Sequence, residues 1–195
     1  MIGMKFYNDH SRALQKQFDS LRLADQLERT RKHTRLTCED RAIVEGAAFF
    51  FLATADAQGR PDCSIKGGNP GFVSCPEDGF ITFGNYDGNG MFRSLGNIRS
   101  NPWVGLLFVT FDDDPKKLRI NGRASFEHAN ATKPTEITVT VAIENIFPNC
   151  PRYLPDLRTA GQSVYNPAPG HSPPDPFWKS KPDLEPFLPR IETRE

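Results

Sequence analysis

The sequence predicts a mainly β protein: six or seven short antiparallel strands closing a barrel or sandwich, with helices ahead of them. Three observations carry that expectation. Between residues 48 and 147, short apolar or alternating runs recur, separated by clusters of Gly, Pro, Asp and Asn. Only one helical pattern interrupts them, which argues against repeated βαβ units. The prolines are also lopsided: of 17 in the chain, seven precede residue 151 and ten crowd the remainder. A proline-dense end cannot be regular helix or central strand, so the body and the tail separate by composition alone.

Taken in order, Ser11 to about Arg35 reads as one amphipathic helix. Leu14, Phe18, Leu21, Ala24 and Leu27 recur at spacings of three and four. A second, short helix starts at Thr37, with Thr37 as N-cap and Asp40 closing a capping box, and stops at Gly46 or Ala47. Ala48 to Thr54 is a Phe-rich apolar run, too short for a domain helix, and reads as the first strand. Asp56 to Pro61 carries turn chemistry, and Asp62 to Lys66 returns as the second strand. Gly67 to Gly71 interrupts, and Phe72 to Cys75 is extended again. Pro76 to Gly79 is another turn before the strand Phe80 to Gly84. A glycine-rich loop, Asn85 to Gly90, precedes a short helix from Met91 to Arg99, stopped by Asn101-Pro102. Trp103 to Phe111, Leu118 to Phe126 and Glu136 to Phe147 complete the strands. The expected organisation is an N-terminal helical segment over residues 1–47 packing on a barrel over 48–150. A Pro-rich strap over 151–195 follows, whose Phe177, Trp178, Leu184 and Phe187 call for burial.

Bulk chemistry narrows the function. Lys plus Arg and Asp plus Glu are both 24, so the net charge is zero and a basic nucleic-acid surface is not expected. The longest apolar run, Ala47 to Ala53, falls far short of the ~20 residues a bilayer requires. The start becomes charged at once and has no apolar signal region, so a cytoplasmic protein with reduced thiols is expected. Cys38, Cys63, Cys75 and Cys150 form no CxxC pair, and His10, His33, His128 and His171 have no ligand spacing, so no metal is expected. Asp112 to Asp114 reads as a solvated turn, with Lys116 and Lys117 directly after it. No GxGxxG, Walker or GxSxG pattern is present.

Three stretches carry chemistry. In Gly84-Asn85-Tyr86-Asp87-Gly88-Asn89-Gly90, ahead of a helix, glycines free the backbone to turn N–H groups toward an anion. The helix N-terminus adds partial positive charge, and Asn85, Asn89 and Ser94 add donors. Ser64 and Lys66 share one strand face, two residues apart, ahead of Gly67-Gly68, which suits an anionic or flat ligand approached from one side. Arg119 and Arg123 share another strand face.

In order and spacing these pieces resemble the pyridoxamine 5'-phosphate oxidase-like family of FMN-binding split barrels. The likeness runs through Phe51 to Asp56 with Gly59-Arg60-Pro61, Ser64 through Phe72, and Gly88-Asn89. It continues through Ser94 to Ile98, Asn101 to Phe108 and Leu118 to Ala124, and more weakly through Ile146 to Tyr153. The resemblance implies a six- to seven-stranded antiparallel split β-barrel with Greek-key connections, and a homodimer with FMN at the subunit interface. It implies that Ser64, Ile65, Lys66 and Gly67 line the flavin and that Gly84 and Asn85 sit beside it. Asn89, Ser94 and Asn97 would lie near its phosphate, and Asn149 and Arg152 would approach from the C-terminal segment. The vitamin-oxidising enzymes of the family carry an Arg where Ser64 falls and Ser-Arg-Lys where this chain has Gly88-Asn89-Gly90. The nearby cations here are Lys66, Arg93 and Arg99. The likeness is therefore closer to the broad branch of the family. The function it implies is that of an FMN-dependent oxidoreductase acting on a small molecule. A non-catalytic binder of flavin, deazaflavin or haem is the alternative.

Overall fold

In the computed structural model, which describes residues 6–86, 90–127, 137–157, 170, 174–175 and 177–188, the apolar runs after Gly46 become seven strands. They are β1 (Phe49–Ala55), β2 (Pro61–Gly67), β3 (Val73–Ser74), β4 (Phe80–Gly84), β5 (Trp103–Val109), β6 (Lys117–Glu127) and β7 (Thr138–Asn149). Their order in the sheet is β2-β1-β5-β6-β7-β4-β3, and every neighbouring pair is antiparallel. β2 and β3 are thus the two edges, yet they are consecutive in the chain. Flat, the edges of a seven-stranded sheet would stand about 29 Å apart. The chain from Gly67 to Val73 reaches at most about 22 Å. The sheet must therefore curl, and the curled, incompletely closed sheet is a split barrel.

Alternation fixes what the curl encloses. Phe50, Leu52, Ile81, Leu106, Phe108, Leu118, Ile120, Val139, Val141 and Ile146 are fully buried on its inner face. Phe50 is the centre of an aromatic cluster, stacked on Phe108 at 5.0 Å between ring centroids and meeting Phe83 edge-on at 5.1 Å. Each such ring removes a large apolar area from water, which makes this cluster the main stabilising block. In β6 and β7 the register slips between Asn121 and Gly122. A Cβ on Gly122 would stand 2.3 Å from the Ala142 carbonyl oxygen, so only glycine lets the two backbones close at this bulge.

Among the described residues, two α-helices belong to this unit, His33–Pro151. α3 (Cys38–Gly46) starts at the expected capping box: the Thr37 hydroxyl accepts from the Asp40 N–H at 3.1 Å, and the Asp40 carboxylate accepts from the Thr37 N–H at 2.9 Å. α4 (Arg93–Ser100) starts two residues later than the sequence reading, because Phe92 takes a left-handed conformation, φ 50° and ψ 24°.

The second unit joins Met1–Lys32 to Arg152–Glu195. Here the reading of one helix from Ser11 to Arg35 is corrected. The structure forms α1 (Asp9–Gln17) and α2 (Leu21–Arg31). The break is a Schellman closure: the Ser20 N–H reaches the Gln15 carbonyl at 2.8 Å and the Asp19 N–H the Lys16 carbonyl at 3.4 Å, with Asp19 at φ 50°. Asp tolerates that conformation without glycine, so nothing in the apolar periodicity marks the stop. In the same unit Arg31 pairs with Asp183 at 2.5 Å, Leu184 is buried and Phe177 is exposed. The Pro-rich segment forms two short 3-10 turns there, Phe177–Ser180 and Glu185–Phe187.

Candidate functional site

β2 is an edge strand, and its register on β1 decides its chemistry. Thr54 opposes Asp62, Leu52 opposes Ser64 and Phe50 opposes Lys66. Opposed residues share a face, so the core face of β1 continues onto β2 as a polar row, Asp62, Ser64 and Lys66, all half-buried. α4 covers this row. Leu95 and Ile98 enter the core, which aims the first turn of the helix at the polar side chains. The Ser64 and Ser94 hydroxyls lie 3.1 Å apart, and the Lys66 ammonium donates to Ser94 Oγ at 3.3 Å. Arg93 Nε donates to Asp62 Oδ1 at 3.2 Å. One turn on, Asn97 Nδ2 donates to Thr54 Oγ1 at 3.0 Å and ties α4 to β1.

The electrostatics follow from that packing. Burial pushes the Lys66 pKa below the ordinary lysine value, and Asp62 partly offsets the effect. A half-dehydrated ammonium gains from a neighbouring anion. The N-cap of α4 is Phe92, whose side chain makes no capping bond. The N-cap residue itself therefore supplies no side-chain acceptor to the first-turn amides at the positive end of the helix dipole.

Two aromatic residues, Phe72 and Tyr86, line the same cavity. Phe72 stacks on the core ring of Phe50 at 6.0 Å and meets Tyr86 at 6.4 Å between centroids. Gly68 makes room for both: a Cβ there would lie 2.7 Å from Phe72 and 3.0 Å from Tyr86. Met91 and Phe92 also line the cavity. The cavity has a volume of about 790 Å³, within the usual range for a cofactor or drug-sized ligand.

Seven residues singled out in the sequence line this one cavity: Ser64, Ile65, Lys66, Gly67, Gly84, Asn85 and Ser94. Asn97 does not line it; its side chain is spent on Thr54. Asn149 sits at the end of β7, opposite Lys117 on β6. Arg152 belongs to the other unit, where its guanidinium lies 5.1 Å from the Tyr153 ring centroid. Asn89 lies outside the described residues. Sequence reasoning missed Asp62, Phe72, Tyr86, Met91 and Phe92. Asp62 was legible in principle, being two residues from Ser64 on the same strand face. The left-handed turn that brings Phe92 in has no sequence signal, since a bulky residue rarely adopts it.

Residues 36–165 match the sequence profile of the pyridoxamine 5'-phosphate oxidase family. A curled antiparallel sheet with a polar and aromatic cleft at its edge, carrying that profile over most of its length, defines the class: this chain belongs to the pyridoxamine 5'-phosphate oxidase family. Among solved structures, one similar chain is a putative pyridoxamine 5'-phosphate oxidase from Lactobacillus delbrueckii, 20% identical with a TM-score of 0.45. That match covers 60% of this chain and 99% of that one. Another is an FMN-binding protein from Syntrophomonas wolfei, 12% identical with a TM-score of 0.44, covering 71% and 96%. A third is the haem storage protein HutZ from Vibrio cholerae, 18% identical with a TM-score of 0.36, covering 60% and 92%. No curated protein matches the chain significantly.

Proposed function

We propose that this protein binds FMN in the cavity between β2, the end of β4 and α4, and that it works as a homodimeric, cytoplasmic flavin-dependent oxidoreductase. The observation that carries the reading is the convergence of Ser64, Lys66 and Ser94 on the N-terminus of α4. That donor set suits a phosphate: a helix end whose N-cap residue, Phe92, makes no capping bond, two hydroxyls and a half-buried ammonium. The glycines at 67 and 84 border the same cavity. Family membership supports the same cofactor.

Each residue then has a task. Lys66 and Ser94 hold the phosphate, and Ser64 orients Ser94. Asp62 keeps Arg93 on β2, fixing the first turn of α4. Phe72 and Tyr86 exclude water from one side. Bound FMN would supply the two-electron redox chemistry.

The test is direct. The purified protein is expected to show the two visible absorption bands of an oxidised flavin, or to acquire them on adding FMN. Lys66→Ala is expected to weaken FMN binding about tenfold, consistent with one charge-assisted hydrogen bond. Ser94→Ala is expected to weaken it less. A protein that neither carries nor takes up FMN overturns the reading. One observation keeps the alternative of a haem carrier in view: the residues lining the cavity include Met91, whose sulfur is of the type that ligates haem iron. A Soret band in place of the flavin bands selects that reading, and the fluorescence of the extracted cofactor separates FMN from a deazaflavin.

A further inference from the structure

We infer that Glu45, an α3 residue that does not line the cavity, is a positioning residue for the flavin site, acting through the loop that carries Phe72; this rests on the FMN reading above. The chain from Gly67 to Cys75 joins the two edge strands, β2 and β3, and so crosses the split of the barrel. It has little stiffness of its own: glycine stands at 67, 68 and 71, and Gly71 has φ +90°. β3, with two residues, makes too short a ladder to fix the loop alone. The corner between α3 and β1 holds it instead. The Gly68 N–H donates to the Ala48 carbonyl at 2.9 Å and the Gly71 N–H to the Glu45 carbonyl at 2.7 Å. The Cys75 N–H donates to Glu45 Oε1 at 3.0 Å. Arg41 completes the clasp. It donates to the same Glu45 oxygen at 3.4 Å, to the Cys75 carbonyl, and to Asp78 Oδ1 at 3.0 Å.

What the loop delivers is Phe72. That ring lines the cavity and lies between the Gly71 and Cys75 anchors. A Cβ on Gly68 would stand 2.7 Å from it, so the ring and the start of the loop are in close contact and move together. Behind it, Val73 is fully buried and Phe50 stacks at 6.0 Å. A ring already in place when FMN arrives needs no ordering on binding, and a ring on a loosened loop does. The Glu45 side chain is 40% exposed. Truncating it therefore opens no internal void, and the change acts through the bonds it loses.

The experiment compares the full chain with its Glu45→Ala, Glu45→Gln and Glu39→Ala variants. Glu39 also lies on α3, but its carboxylate pairs with Lys116 at 2.6 Å and touches nothing in the loop. Amide hydrogen exchange over residues 68–75 is read before FMN is added, and FMN affinity is then read by quenching of flavin fluorescence. Glu45→Ala is expected to speed exchange at the Cys75 amide and to weaken FMN binding about fivefold. Glu45→Gln, whose amide oxygen still accepts from the Cys75 N–H, is expected to stay within about twofold of the parent in both readings. Glu39→Ala is expected to do the same. A Glu45→Ala protein that binds FMN as the parent does, whatever its stability, overturns the inference and leaves the FMN reading standing. So does an equal loss in Glu45→Gln or Glu39→Ala, which would trace the effect to charge or to the helix as a whole. A parent protein that does not bind FMN removes both.

Discussion

Single atoms decide two properties of the barrel. At Gly122 a methyl group would collide with the Ala142 carbonyl at 2.3 Å and with Val141 at 2.9 Å. Backbone cannot give way as a side-chain tip can, so Gly122→Ala is expected to cost roughly 2–3 kcal/mol. At Gly46, where an added Cβ meets nothing within 4 Å, the same change is expected to be neutral or slightly stabilising. Urea denaturation of the two variants checks the contrast. Cys75 is the second case. Burial, then Glu45, push its thiol up to about 11. The thiolate is the reactive form, so at neutral pH Cys75 is expected to resist iodoacetamide in the folded protein while the exposed Cys38 and Cys63 react. Peptide mapping by mass spectrometry reads this. The stability consequence has a definite sign. The folded state holds this proton more tightly than the unfolded state, so the contribution is complete below the ordinary thiol value and is lost as pH rises through about 11. Cys75→Ala removes that alkaline component from the pH profile of the unfolding midpoint.

At the scale of elements, helix ends marked by a local side-chain or Pro and Gly signal were legible, as at both ends of α3 and the stop of α4, and the others were not. The capping box of α3 was visible in Thr37 and Asp40 because it is a local pattern of side chain and backbone. The structure adds that Asp40 Oδ2 also accepts from the Thr37 hydroxyl at 2.7 Å and meets His33 Nε2 at 2.7 Å. Thr37→Ala is therefore expected to cost about 1 kcal/mol. Asp40→Ala, which strands more partners, is expected to cost about 2–3 kcal/mol. Thermal denaturation would rank them, and an Asp40→Ala variant no worse than Thr37→Ala would contradict the shared-carboxylate account. The break between α1 and α2 was not visible, because the apolar spacing continues through it and the stop rests on an Asp in the left-handed region. The strand pattern was legible for the same reason the caps were: period-two alternation is imposed locally, by one buried face. Residues 64 and 66 were assigned a common face on that basis, and the structure puts both against Ser94.

The whole molecule poses a question of surface. Around the cavity, Ile65, Tyr86, Met91 and Phe92 are large, apolar and exposed together. Such a cluster is more than isolated surface residues need explain, and it supports the proposed homodimer. Light scattering is expected to give about twice the chain mass of 21.9 kDa at micromolar concentration. Ile65→Asp is expected to shift that equilibrium toward monomer while leaving the barrel folded, since Ile65 lies on an edge strand outside the buried core. A parent protein that scatters as a monomer would remove the shared-interface part of the proposal.

The sequence by itself determined the strands, most of the turns and the cap of α3, because these follow from patterns within a few residues of one another; that seven residues belong to one site was implied by the resemblance to the family. Only the tertiary structure decided what those residues face. The curl of the sheet carries the core face of β1 out onto β2, and the left-handed Phe92 swings α4 across it. That packing dehydrates Lys66 and pairs Arg93 with Asp62, and Phe72 and Tyr86 line the same cavity. Burial and the distances between charges are set by partners far apart in the chain, and those two quantities determine whether a lysine is a surface charge or an anion site.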